Sequence, residues 1–258
     1  MGRRGDSSPH CIILSQAEAA SPTRWHPKGL NMDVRLLSHT PEPQRAIAAA
    51  ARLCYAPVGA AELLETMSDE AIEKVLRIIL TSGHTSALEH ASYSFAIDGV
   101  SRALTHQLVR HRLASYNQQS QRYVSYAEAP DFIVPPAVAA NPEALKRYKS
   151  ANSAAFSAYR ELLEMGVAPE DARYLLPNAM ETKIVVTMNV RELLHFLELR
   201  CCKRAQWEIR DLALAMLKLA EPTAPYIFLD AGASCRRGAC REGKMTCGDP
   251  YPKAPKRD

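Results

Sequence analysis

No apolar run in this 258-residue chain approaches the roughly 20 residues that span a bilayer, so no membrane partner is expected. The first thirty residues hold no secretory h-region, since Ile12, Ile13 and Leu14 make too short a run, and export is not expected. Seven cysteines at irregular spacing are too few for a secreted disulfide scaffold of this length; a reducing cytoplasm fits them better. Glycine-rich phosphate motifs are missing too. There is no G-x-G-x-x-G, so a dinucleotide would not be held in the Rossmann manner. Gly238 to Lys244 approaches a P-loop, but Met245 replaces the hydroxyl residue and neither strand nor helix is expected to flank it. The most telling absence is acid: from Gly99 to Ala127 there is not one Asp or Glu.

That acid-free stretch carries Arg102, Arg110, Arg112, Arg122 and His111 among Ser115, Asn117, Gln118, Gln119, Ser120 and Gln121. Guanidinium groups without a nearby carboxylate have no local ion-pair partner, so solvent or an anionic ligand must satisfy them. Arginine presents a rigid fork suited to phosphate, and the hydroxyls and amides between suit ring and sugar oxygens. The stretch reads as a nucleotide site. The formal charge of +4 sits at the ends of the chain: residues 1–31 carry +2 and residues 231–258 carry +4, leaving −2 between them. A weakly acidic body with one basic pocket argues against a broad nucleic-acid face, which needs a basic stripe.

The organisation expected is one α+β domain over residues 32–230, with helices packed around a mixed sheet. Residues 1–31, poor in periodicity, are expected to be disordered or to precede a true start at Met32, and residues 231–258 form a basic, cysteine-containing tail. A strand holds Val34, Leu36 and Leu37. Thr40 is expected to cap a helix with Pro41 at its first position, and Ser68 to cap another whose stripe is Ile72, Val75, Leu76, Ile79 and Leu80, closed by Gly83. Tyr93, Phe95 and Ile97 alternate on a strand from Ser92 to Asp98. Ser101 caps a helix to about Arg112, which would set Gln107, Arg110 and His111 on one face, and Ser115 to Gln121 follow as a loop. Asn141 opens a long amphipathic helix ending at Gly166, and Pro169 opens a short one carrying Arg173. A strand from Lys183 to Asn189, a helix from Val190 to Arg200 and a last long helix from about Lys203 to Ala220 complete the pattern.

Three further blocks suit the basic stretch: His84 to His90 after a helix end, Asn189 with Arg191 and His195, and Arg200 one turn on. His84, Glu89 and His90 have the composition of a zinc set but lack the paired histidines of H-E-x-x-H, so no metal is expected. Taken singly, each residue has a plainer reading: Arg102 a solvated helix residue, His90 a packed histidine with Glu89 as its partner, Arg173 and Arg191 surface ion pairs, and the tail cysteines free thiols. Their joint occurrence around an acid-free stretch shifts the balance.

Arg110-His111-Arg112 followed by Ser115, Asn117, Ser120, Arg122 and Tyr123 resembles the R-H-R-x-x-S-x-N-x-x-S-x-R-Y signature of the flavin-dependent thymidylate synthases. The other blocks resemble that family's in the same order, from Met32 to Lys244. The resemblance implies FAD, reduced by NADPH, and transfer of a one-carbon unit from methylenetetrahydrofolate to C5 of dUMP, in a homotetramer whose sites combine subunits. It places Gln107, Arg110, Gln118, Ser120, Gln121, Arg122, Arg173 and Arg200 on dUMP, and Ser86, Arg110, His111, Arg112, Gln118, Asn189, Arg191 and His195 on FAD. It puts Arg200, Ser120 and His84 at the chemistry: Arg200 against the uracil as an electrostatic activator, His84 near flavin and folate. Gln118 and His195 stand where some members carry Glu and Asn, both keeping hydrogen-bonding capacity. Ser120 is the one nucleophile in the signature and has no adjacent base, so no obligatory enzyme–uracil bond is expected. A non-catalytic flavin or nucleotide sensor and an RNA-binding module stacking Tyr116, Tyr123 and Tyr126 are the other readings.

Overall fold

The computed structural model describes residues 32–124, 126 and 130–255, and the backbone of Trp25–Pro27. The expected disorder of residues 1–31 therefore falls almost wholly outside the described residues. Trp25–Pro27 form a short strand, β1.

The chain is α+β. Its main sheet has four strands in the order β2-β3-β6-β4, formed by Asp33–His39, Ser92–Ser101, Glu181–Asn189 and Ala114–Gln118. Every pairing in it is antiparallel, so the sheet is not mixed. Parallel pairing is confined to a separate pair, β1 with β5 (Phe132–Val134). Because β6 lies between β3 and β4 and is antiparallel to both, those two strands run in the same sense, and the chain between them crosses over the position that β6 fills.

The alternation expected for β3 is observed: Tyr93, Phe95 and Ile97 are fully buried. Pairing extends their rows across the sheet, Leu36 beside Phe95, then Val186 and Tyr116, and Val34 beside Ile97, then Ile184 and Gln118. Helices α4 (Arg102–Leu108), α8 (Val190–Arg200) and α9 (Trp207–Ala220) pack against this sheet. Leu104, Leu193, Phe196, Leu197, Ile209, Leu212 and Met216 join one core with the inward strand residues. Each fully buried aliphatic contributes about 1.5–3 kcal/mol.

Buried charge is tied down. Glu208, near the start of α9, accepts from Ser101 N at 2.7 Å and from Ser101 Oγ at 2.6 Å, while that same Oγ accepts from Leu104 N at 3.0 Å. Ser101 thus caps α4 as expected and ties it to α9. Ser68 caps α3 (Asp69–Ser82) by accepting from Ala71 N, and Gly83 ends it at φ 79°, the left-handed conformation glycine adopts freely. Asn141 caps α6 (Pro142–Glu164), which packs Phe156 and Tyr159 with Phe132 and Met180 in a second, smaller core.

Other local expectations fail for identifiable reasons. Thr40 does not cap a helix. Its backbone N donates to Ser92 O and its Oγ1 accepts from Ser92 N, both at 3.0 Å, so it prolongs the β2–β3 ladder and the first helix, α1 (Pro43–Leu53), begins later. A short helix, α2 (Ala60–Thr66), has no counterpart in the sequence reading. Helix α4 stops at Leu108 rather than Arg112 because Tyr116 Oη donates to both Leu108 O and His111 O at 2.8 Å, taking the carbonyls a further turn would have used. Gln107, Arg110 and His111 therefore share no helix face. Of the polar run expected as a loop, Ser115 to Gln118 belong to strand β4 (Ala114–Gln118), and Gln119 to Gln121 lie beyond it. Ser115 and Asn117 point outward and are exposed; Ala114, Tyr116 and Gln118 point inward. Residues after 230 pack back on the body: Ala231, Ala233 and Cys235 are buried. Glu198 on α8 accepts from Arg237 at 2.6 Å and Arg241 at 2.8 Å.

Candidate active site

Helix α8 supplies one wall. Asn189 caps it, its Oδ1 accepting from Glu192 N at 2.9 Å. Leu193, Phe196 and Leu197 face the core at helical spacing, which leaves Arg191 and His195 exposed on the opposite side, with Arg200 half-buried at the helix end. Opposite them the chain leaving α4 presents Arg110, His111 and Arg112. Together these six line one open cleft of about 530 Å³, with Glu192, Leu113 and Leu199.

His111 is the buried centre of this wall. Its Nδ1 lies 3.2 Å from Glu192 Oε1, and Arg200 Nε donates to its Nε2 at 3.0 Å. A guanidinium can only donate, so Nε2 is unprotonated and the ring proton sits on Nδ1, donated to Glu192. Burial, then the charge of Arg200, then His195 lower the His111 pKa to about 4, which keeps the ring neutral and able to accept. Burial raises Glu192, with His195 acting against it, and burial also draws Arg200 down from the ordinary guanidinium value. His111 packs edge-on to Phe196 and His195, with centroids 5.0 and 6.0 Å away. Glu192, His111 and Arg200 form a relay that fixes the direction of the Arg200 fork.

Arg110 and Arg112 are exposed, and among the described residues their side chains have no hydrogen bond or ion pair. Arg191 pairs with Glu89 at 2.5 Å, both about half-exposed, where such a pair contributes about 0–1 kcal/mol and yields readily to an anionic ligand. Glu89 belongs to the 3₁₀ turn Thr85–His90, which packs on α8 and carries Ser86, with His84 at its start; both are exposed. Among the described residues no group of three His, Cys, Asp or Glu is placed to hold a metal ion.

Gln118, Ser120, Gln121, Arg122 and Arg173 do not line this cleft. They gather at the other end of β4, whose four steps of about 3.3 Å put its ends roughly 13 Å apart. Gln118 turns inward, its Nε2 donating to Thr105 Oγ1 at 3.0 Å and Thr182 Oγ1 at 3.2 Å. Ser120 Oγ accepts from Arg122 N at 3.1 Å and Tyr123 N at 3.4 Å, closing a turn. Arg122 reaches across to Glu170 at 2.5 Å, so it has a carboxylate partner that the acid-free stretch had concealed. Arg173 Nε donates to Glu170 O at 3.0 Å, and Gln121 Nε2 to Met180 Sδ at 3.5 Å. Gln107 lies on the last turn of α4, outside the cleft lining. Arg102 is half-buried rather than solvated, and burial lowers its pKa.

Glu192 and Glu170 carry site geometry without having been picked out, and Tyr116, singled out only as a stacking residue, serves instead by reaching Leu108 O and His111 O. Asn189 and Glu192 have the N-x-x-E spacing of a capping box, which would have assigned Glu192 to the helix start. Its carboxylate instead serves His111.

The family model described as thymidylate synthase complementing protein matches residues 35–226. This chain belongs to the flavin-dependent thymidylate synthase family. It is 56% identical over 218 residues to the flavin-dependent thymidylate synthase of Geobacter sulfurreducens, covering 84% of this chain and 94% of that one. The flavin-dependent thymidylate synthase of Nitratidesulfovibrio vulgaris is 50% identical over 230 residues, covering 83% and 94%. Among solved structures, a UMP/dUMP methylase from Streptomyces cacaoi bound with 5-Br dUMP superposes with a TM-score of 0.69 at 26% identity, covering 77% of this chain and 93% of that one.

Proposed function

We propose that the protein methylates dUMP reductively to dTMP, with FAD as its cofactor and NADPH and methylenetetrahydrofolate as co-substrates. The observation that carries the site assignment is the Glu192–His111–Arg200 relay, which aims a fixed guanidinium into a cleft otherwise lined by Arg110, Arg112, Arg191 and His195. The residues fit a flavin dinucleotide: Arg110 and Arg112 are unpaired donors for its phosphates among the described residues, exposed His195 offers a ring face and hydrogen bonds, and buried His111, with both nitrogens engaged, forms the neutral wall behind them. Arg191, released from Glu89, adds a third cation, with Ser86 on the adjoining turn. Bound there, FAD supplies the hydride chemistry.

The chain's own contribution is electrostatic. Arg200, held by neutral His111, stabilises negative charge developing on the pyrimidine as C5 becomes nucleophilic. Ser120, Gln121, Arg122 and Arg173 take the nucleotide's phosphate and sugar. Ser120 Oγ accepts two backbone N–H groups, and no base adjoins it among the described residues, so it positions rather than attacks. His84 lies at the turn flanking the cleft, where folate would approach. In this reading the RNA-binding alternative loses one of its three stacking residues, because Tyr116 is committed to two carbonyls, while Tyr123 stays exposed.

The dUMP residues Arg110 and Arg200 stand at one end of β4, and Ser120, Arg122 and Arg173 at the other. A single small nucleotide reaches both sets when one comes from a second subunit, which supports a homotetramer with sites at its interfaces; we place the enzyme in the cytoplasm. The test is anaerobic: purified protein, FAD, NADPH, methylenetetrahydrofolate and dUMP, with dTMP measured. Flavin binding without dTMP would leave a sensor, and a protein that refuses flavin would end the reading.

A further inference from the structure

We infer that Arg102 is a further anion-binding residue, reaching from the start of α4 to the phosphate of the nucleotide held at the Ser120 turn. This rests on the assignment of dUMP to Ser120, Arg122 and Arg173 given above.

Around that turn three guanidiniums meet one carboxylate among the described residues. Arg122 takes the Glu170 carboxylate, and Arg173 reaches only the Glu170 backbone carbonyl. Arg102 Nη1 donates to Gln119 O at 3.4 Å, a long bond to the carbonyl directly before Ser120, and Arg102 has no carboxylate partner among the described residues. Most of its five donors are thus unused, although the side chain is half-buried. The main chain at Arg102 is anchored beside the turn: its N donates to Met180 O at 3.1 Å, and the next N, of Ala103, to Asn178 O at 3.0 Å. Burial depresses its pKa, Tyr126 works in the opposite sense, and the neighbouring charge of Arg173 depresses it further.

Two like charges kept close together and partly out of water, with no counter-ion, are unfavourable unless something fills the space between them. The excess over Glu170 is two positive charges. A phosphate monoester carries about −1.5 to −2 at neutral pH and accepts forked donors from several arginines at once, so it matches in sign and size. Ser120 and Gln121 add neutral donors. Arg102 is then a residue that distinguishes the nucleotide from its nucleoside, acting on the charged group and not on the base.

The test uses holoenzyme and calorimetric binding of dUMP and of deoxyuridine to the parent, Arg102→Ala and Arg102→Lys. The expected result is a loss of dUMP affinity of at least about tenfold in Arg102→Ala, partial recovery in Arg102→Lys, and unchanged deoxyuridine affinity, with flavin content and Tm retained. If Arg102→Ala does not fold, Arg102→Gln, which keeps the stem and one amide, gives the same comparison. Unchanged dUMP affinity overturns the inference, and so does an equal loss for nucleotide and nucleoside, which would mark a structural role. Arg122→Ala separates the two levels. If it weakens dUMP while Arg102→Ala does not, the inference about Arg102 fails alone; if neither does, the nucleotide assignment at this turn fails with it.

Discussion

Arg200 donates its Nε proton to Nε2 of His111 across 3.0 Å, and that bond settles the protonation of the ring as well as the direction of the fork. A protonated His111 would point N–H against N–H. The relay through Glu192 therefore works only while the ring is neutral.

His111 is accordingly expected to titrate near pH 4, where an ordinary histidine titrates near 6.5. The unfolded chain binds this proton first, so the ring's contribution to stability is complete above about pH 6.5 and is lost as pH falls from there towards 4. Glu192, with its value raised by burial, acts in the opposite sense, which makes the ring's own signal the cleaner measurement. NMR of ¹³C-labelled histidine should show one ring with no protonation shift until near pH 4. A ring population titrating wholly near 6.5 would refute the neutral relay.

Arg200→Lys keeps the charge but loses the planar fork and the Nε contact to His111. Turnover should fall at least about tenfold, while dUMP affinity changes by less than about threefold, because the lost interaction belongs to the activated pyrimidine. Single-turnover rates and equilibrium binding check this together; unchanged turnover would remove Arg200 from its role.

Ser120→Ala should retain measurable dTMP formation. The substitution removes an acceptor for two turn amides and should weaken the turn by about 1 kcal/mol. Complete loss of activity with dUMP and FAD still bound would reinstate the serine as a nucleophile.

Glu208→Ala should be strongly destabilising, by about 3 kcal/mol, because it orphans Ser101 N and Oγ in the core and loosens the cap of α4. Glu208→Gln keeps one acceptor and should lose less. Urea unfolding of the two variants orders them, and the reverse order would contradict the account.

Much of this architecture was legible from local chemistry. Ser68, Ser101 and Asn141 cap where their side chains can take amides, Gly83 closes α3, and the two-residue alternation of Tyr93, Phe95 and Ile97 marks the central strand. Strand β4 escaped because its inward residues are Ala114, Tyr116 and Gln118, one of them an amide satisfied by threonines distant in sequence. The early end of α4 depends on a tyrosine eight residues after Leu108. Within the site, the clustering of Arg110 to Arg112 with Arg191, His195 and Arg200 was foreseeable from polarity. The partners Glu170 and Glu192 were not, since an acid-free stretch says nothing about carboxylates that the fold returns to it.

The separation along β4 has a genetic consequence. If each catalytic centre borrows its phosphate-binding turn from one polypeptide and its Arg200 from another, two inactive proteins can rescue each other. Arg122→Ala and Arg200→Ala chains, co-expressed or unfolded and reassembled together, would build some centres from two intact halves and regain dTMP formation that neither pure population has. Complementation of this kind is closed to an enzyme whose site lies within a single chain.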